Sequence, residues 1–148
     1  SDESRGLGDV YKRQGIIMTH KTIQPEGWAP ALGYANGMLT KDGTLYIGGQ
    51  IGWNKDKIFE SKEFVPQMHQ ALLNIVDIVV AAGGKPSDVV RLTWFVTDKA
   101  TYVENQRAVG AAYREVFGKH FPAMSMLVVT GLVEDDALVE IEATAQLN

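Results

Sequence analysis

The sequence predicts an α+β domain in which two amphipathic helices cover one face of a mixed β-sheet, in the order β-β-α-β-α-β-β. Three observations predict it. Two stretches repeat apolar residues every three or four positions, and five shorter ones are rich in β-branched and aromatic residues. The helical stretches also interrupt the strands without following each of them in turn, which favours a two-layer packing. Two helices can shield only one sheet face, so the other face meets water or another subunit.

The elements follow in order from their punctuation. Gly33–Thr40 and Thr44–Gln50 read as strands joined by Lys41-Asp42-Gly43, an Asp-Gly turn between apolar-rich runs. Glu63–Ala82 reads as the first helix. Phe64, Met68, Ala71, Leu72, Ile75, Val76 and Val79 form its stripe, Pro66 falls in the tolerant first turn, and Gly83-Gly84 ends it. Val89–Thr97 reads as a strand, with Val90, Leu92, Trp94 and Val96 on one face and Val89 and Phe95 on the other. Apolar residues on both faces suggest burial on both sides, hence oligomerisation. The second helix spans about Thr101–Phe117, with Tyr102, Val109, Ala112, Tyr113, Val116 and Phe117 as its stripe. Strands Met124–Thr130 and Ala137–Gln146 close the chain, joined by the acidic turn Glu134-Asp135-Asp136.

Length and composition bound the function. The 148 residues suit one domain, with 45% apolar and 22% charged residues. A net charge of -4 argues against broad nucleic-acid binding. The absence of cysteine excludes thiolate metal sites and a Cys nucleophile, and it fits a reducing compartment such as the cytoplasm. No apolar run approaches the roughly 20 residues that span a bilayer. Residues 1–17 read as a non-native or disordered leader before Met18, the alternative being an extension that packs on a neighbouring subunit; residues 18–148 form the domain. His20, His69 and His120 lack metal-ligand spacing, no phosphate loop is present, and no serine sits in a nucleophile elbow.

Glu140 is the best candidate for chemistry. In the last strand Val139, Ile141, Ala143 and Ala145 suit the helix-covered face, which puts Leu138, Glu140, Glu142 and Thr144 on the open one. A carboxylate among β-branched neighbours acquires a raised pKa and can then handle a proton or hold a water. A solvated or ion-paired surface carboxylate fits the same pattern, for Glu142 as well as Glu140.

Five segments resemble one known family. They are Gly48-Gly49-Gln50-Ile51 after the hairpin, Ala71–Ile75 with Ala81-Ala82-Gly83, Asp88-Val89-Val90 with Phe95–Asp98, Phe121-Pro122-Ala123-Met124-Ser125, and Val139–Ala143. In order and spacing, from about Gly33 to Ala145, they resemble the reactive-intermediate deaminases (Rid, YjgF or L-PSP proteins). That resemblance implies a chorismate-mutase-like homotrimer with ligand clefts between subunits, and cofactor-independent, metal-free hydrolysis of imines and enamines. It further implies that Glu140 orients water or relays a proton, that Tyr34 lines the cleft, and that the Gly48-Gly49 backbone contributes to it.

The chain departs from the family pattern at one position that matters for specificity. Where deaminating members carry an Arg that grips the substrate carboxylate, this chain has Met124. Losing one charge-assisted pair costs about 1.5–3 kcal/mol, roughly 10- to 100-fold in binding. Gly48 also replaces the usual Ser of that family segment. A less polar pocket is therefore expected, with Trp53, Met124 and Met126 lining it and Arg107, ahead of Arg114, as a substitute anion anchor. The leading expectation is a hydrolase of a small C=N metabolite that is not a simple 2-imino acid. The alternative is a small-ligand-binding trimer that retains the fold without the chemistry. A ribonuclease is disfavoured by the charge and by the lack of a His pair.

Overall fold

A computed structural model describes residues 19–148; the expected leader, residues 1–17, and Met18 lie outside the described residues. The architecture is α+β. The strands are β1 (Lys21–Ile23), β2 (Gly37–Leu39), β3 (Thr44–Ile51), β4 (Val89–Val96), β5 (Ala123–Val128) and β6 (Val139–Gln146), and the helices are α1 (Phe64–Ala81), α2 (Lys99–Glu104) and α3 (Gln106–Phe117). One six-stranded sheet runs β1-β2-β3-β6-β4-β5, with β4 and β5 parallel and every other pair antiparallel.

The β2–β3 hairpin closes as its turn chemistry requires. Gly43 takes φ 89°, and the Asp42 carboxylate accepts from the Thr44 amide at 3.1 Å and from the Thr40 hydroxyl. The end of α1 is a Schellman motif, in which Gly83 at φ 93° lets its amide reach Val80 O at 2.9 Å while Gly84 reaches Val79 O at 2.9 Å. By length and hydropathy α1 could cross a membrane, but it is the core helix of this domain. Met68, Ala71, Leu72, Ile75, Ile78 and Val79 are completely buried against β3, β6 and α3. On β6, Val139, Ile141, Ala143 and Ala145 lie in this core and Glu140, Glu142 and Thr144 do not, as the alternation predicts.

Four expectations need correction. Strand β1 is absent from the sequence reading because three residues are too few to show a period. The first hairpin strand is only Gly37–Leu39, and the residues from Gly33 to Asn36 form a loop. The second helix is two helices. Asn105 turns its side-chain amide back to Thr101 O at 2.8 Å, competing with the helical ladder, and its backbone leaves helical values (φ -111°, ψ 15°). On β4 the faces of the first two residues are exchanged. The register slips by one residue between Val89 and Arg91 opposite β6, so Val89 is fully buried and Val90 is 49% exposed. Phe95 keeps its expected place on the open face, in register with Glu140 of β6 and Leu127 of β5.

Candidate active site

A two-residue irregularity in β3 creates the cleft. Ile47 pairs with Ala143 and Gln50 with Ile141, so Gly48 and Gly49 together oppose the single residue Glu142. At Gly49 an added side chain would displace the Glu140 carboxylate, since a Cβ would stand 2.6 Å from Glu140 Cδ. The glycine therefore lets the carboxylate lie against the strand backbone. Gly48 donates its amide to Asn36 O at 2.9 Å, drawing the Tyr34–Asn36 loop over the strand. The result is a cleft of about 400 Å³ lined by Tyr34, Asn36, Gly48, Gly49, Trp53 and Glu140, with Val133 and Glu134 at its rim.

Buried amides fix this lining from beneath. Gln50 donates to Gly48 O at 3.0 Å and to Asn36 Oδ1 at 3.3 Å, and Asn36 donates onward to Gln24 Oε1 at 2.8 Å. Asn74 of α1 donates to Ile51 O at 3.2 Å and Trp53 O at 2.9 Å, holding the base of the Trp53 loop. Gln67, 1% exposed, donates to Asp136 O at 2.9 Å and accepts from the Leu138 amide at 2.8 Å. It thereby anchors the chain just after the Val133–Glu134 rim. Above the cleft, the Lys57 ammonium sits 5.6 Å from the Tyr34 ring centroid and 5.8 Å from that of Trp53, joining the two aromatic walls.

The electrostatics single out Glu140. It is half-buried and has no hydrogen-bond or ion-pair partner among the described residues. Burial, and then repulsion from Glu142, push its carboxyl above the usual glutamate value. The cleft lining carries two carboxylates, Glu134 and Glu140, and neither Lys nor Arg. Glu142→Gln should remove the repulsion and lower the Glu140 value. Any activity that needs the Glu140 carboxylate rises with pH through that value, so its acidic limb should move to lower pH in the variant. The pH dependence of kcat/KM reads this, and a limb that stays in place would separate Glu142 from the Glu140 titration.

Of the residues chosen from sequence, the fold brings Tyr34, Gly48, Gly49, Trp53 and Glu140 around this cleft. Met124 and Met126 lie elsewhere. In register they stand beside Leu92 and Trp94, on the helix-covered face, where they line a second cavity of about 290 Å³. Arg107 is exposed and lines neither cavity, whereas Arg114 lines the second. Asn36, Gln50, Val133 and Glu134 also line the cleft and were not chosen from sequence. A buried-side Gln beside a Gly-Gly pair was a usable signal for Gln50, because paired glycines inside a strand mark a bulge that resets the alternation. The histidines make other contacts: His69 pairs with Glu115 at 3.2 Å, and His120 Nε2 lies 2.6 Å from Val89 O.

Comparison with known proteins fits this geometry. Residues 26–147 match the endoribonuclease L-PSP family. The RutC family protein UK114 of Drosophila melanogaster is 32% identical over 133 residues, covering 86% of this chain and 90% of that protein. The 2-iminobutanoate/2-iminopropanoate deaminase of Escherichia coli K12 is 35% identical over 129 residues, covering 84% and 96% respectively. Among solved structures, the Rid protein YyfA of Yersinia pestis superposes with a TM-score of 0.75 at 30% identity, covering 86% of this chain and 99% of that one. Escherichia coli TdcF with bound serine gives 0.73 at 27% identity, with the same coverage of both chains.

Proposed function

The chain belongs to the endoribonuclease L-PSP (Rid/YjgF) family, and we propose that its Glu140 cleft hydrolyses a small imine or enamine that is not a simple 2-imino acid. One observation carries this reading: a half-buried, partnerless carboxylate faces a cleft whose lining holds no cation. Deaminases of 2-imino acids among its relatives supply the reaction class.

The chemistry needs only water. Glu140, as carboxylate, accepts a proton from a water as its oxygen bonds to the imine carbon, and the C=N electron pair moves to nitrogen, which is protonated. In the resulting carbinolamine Glu140 takes the hydroxyl proton and delivers it to the nitrogen as the C–N bond breaks, and the carbonyl compound and ammonia leave. A carboxyl held above the usual glutamate value by burial suits a group that must both take and return a proton. Tyr34 and Trp53 bound the substrate, and the Gly48-Gly49 backbone gives it close approach to Glu140. An uncharged or protonated imine is accepted by such a lining, whereas a free carboxylate meets the like charges of Glu134 and Glu140, and the ammonium above the aromatic walls, Lys57, is already held by Pro30 O at 2.7 Å.

We place these clefts at the interfaces of a homotrimer. The support is the apolar surface the subunit leaves open. Val133 at the cleft rim is 99% exposed, Tyr34 in the same cleft and Leu32 two residues before it are exposed, and Tyr46 and Leu127 stand on the open sheet face. The reading is tested by generating imines in situ, with a flavin amine oxidase for those without a carboxylate and an amino-acid oxidase for 2-imino acids, and following their decay and ammonia release. Acceleration over the uncatalysed rate is expected for an imine without a free carboxylate. Thermal stabilisation by such compounds with no acceleration of any of them would favour a binding protein instead.

A further inference from the structure

We propose that Lys57 is a positioning residue of the Glu140 cleft: its ammonium holds the rings of Tyr34 and Trp53 as walls and so sets the width a substrate must fit. The proposal rests on that cleft being the site of imine hydrolysis. Its starting point is a backbone outlier. Lys57 has φ 62° and is the one residue other than glycine with a positive φ among the described residues. In that conformation a Cβ crowds the carbonyl oxygen that follows it, whereas glycine takes it freely. A residue with a side chain persists there only where its surroundings over-determine it.

The surroundings do so from both ends. At the backbone end, Asn54 closes the turn. Its amide donates to Ile58 O at 2.9 Å, and its own carbonyl oxygen accepts from the Lys57 amide at 2.9 Å. Its side-chain Oδ1 accepts from the amides of Asp56 at 2.9 Å and Ile58 at 3.1 Å. These bonds fix the chain path that gives Lys57 its positive φ. At the other end the side chain runs back over the cleft. Lys57 Nζ donates to Pro30 O at 2.7 Å and stands 5.6 Å from the Tyr34 ring centroid and 5.8 Å from that of Trp53. Lys57 is partly buried, and an ammonium withdrawn from water is drawn to ring faces more strongly than an exposed one.

The Tyr34 wall has little else to place it. Tyr34 is 49% exposed, and its hydroxyl makes no hydrogen bond among the described residues. Its loop is joined to the Lys57 turn a second time, by the Ala29 amide donating to Lys55 O at 2.8 Å. On the Trp53 side, the Phe59 ring packs at 5.8 Å between centroids and props the indole. Sharing one ammonium, the two walls cannot part without giving up a contact.

Wild type, Lys57→Met, Lys57→Gly and Lys57→Arg are compared as intact protein labelled with meta-fluorotyrosine, the Tyr34 signal being assigned with Tyr34→Phe. Lys57→Met keeps the apolar stem without the ammonium. Lys57→Gly suits the observed φ, so it removes the side chain without straining the turn. Lys57→Arg keeps a cation for both rings and a donor for Pro30 O. The Tyr34 fluorine signal should move in Lys57→Met and Lys57→Gly and stay near its wild-type position in Lys57→Arg. For 2-iminopropanamide generated in situ, KM should rise about 10-fold in the first two, with kcat within about threefold, and Lys57→Arg should restore KM. A Tyr34 signal indifferent to both Lys57→Met and Lys57→Gly, a moved signal with unchanged KM, or a loss confined to kcat would each overturn the proposal. Wild-type protein that hydrolyses no imine, beside the expected movement of the Tyr34 signal, would refute the chemistry given to Glu140 and bear out the placement of the walls by Lys57.

Discussion

Glu140→Gln is expected to lower the rate of imine hydrolysis by about 10²- to 10⁴-fold, the usual contribution of a positioned general acid–base group. Gln keeps the size of the side chain, and its Cγ and Cδ can still lie against Gly49, where a Cβ would stand within 2.8 Å of them. What it removes is the ability to take and return a proton. The loss should fall on kcat, with little change in KM, because the group acts on the water more than on substrate binding. The same variant has a stability signature that a merely structural residue would not give. In the folded chain the Glu140 carboxyl titrates above its unfolded value, first through burial and second through Glu142. Between those two values the folded state holds more protons, so wild-type stability falls as pH rises through the window just above the ordinary glutamate range. Gln does not titrate. The variant should therefore match wild type in acid and melt at or above it near neutrality, as read by thermal unfolding across pH.

Gly52→Ala should be strongly damaging. Gly52 follows β3 where the strand end crosses α1, and an added Cβ would stand 2.5 Å from both Cα and Cβ of Gln67 and 2.7 Å from its carbonyl oxygen. Helix backbone cannot rotate away as a flexible side chain does, so strand and helix must separate. A cost of about 3 kcal/mol is expected, the upper part of the usual range for overpacking. That corresponds to a fall in Tm of roughly 6–12 °C for a domain of this size. Activity should fall too, because Gln67 is the buried tie to Asp136 and Leu138 behind the cleft rim. A variant with wild-type Tm would contradict the close approach of β3 to α1.

Much of this was readable from the sequence because local signals and global packing agree. The stripe of α1, its Gly83-Gly84 stop and the strict alternation of β6 each follow from one periodicity, and that alternation is what sets Glu140 on the open face. The failures have a common cause, which is that one residue changes a period locally. The slip at Val90 exchanges two faces of β4, and the side chain of Asn105 interrupts a helix whose apolar pattern runs on. Register across the sheet was the larger gap. Sequence assigned Met124 to an inter-subunit pocket by resemblance alone, and within one subunit β5 stands beyond β4 and aligns Met124 with Leu92 on the helix side. Nor could spacing reveal the amide chain from Gln24 through Asn36 to Gln50, whose members are brought together only where β3 bulges against β6. Lys57 was missed for a related reason: a lysine in a polar turn gives no hint that it joins two aromatic walls.

The central claim is that the Glu140 cleft, whose lining carries two carboxylates and whose neighbouring Lys57 is held by Pro30 O, selects imines without a free carboxylate. The most direct measurement compares kcat/KM for 2-iminopropanamide and 2-iminopropanoate, each generated in situ and followed by ammonia release with the same preparation. The neutral imine should be preferred by about 10- to 100-fold, the worth of one charge-assisted contact that this lining cannot offer a carboxylate. A preference of that size for 2-iminopropanoate would contradict the account.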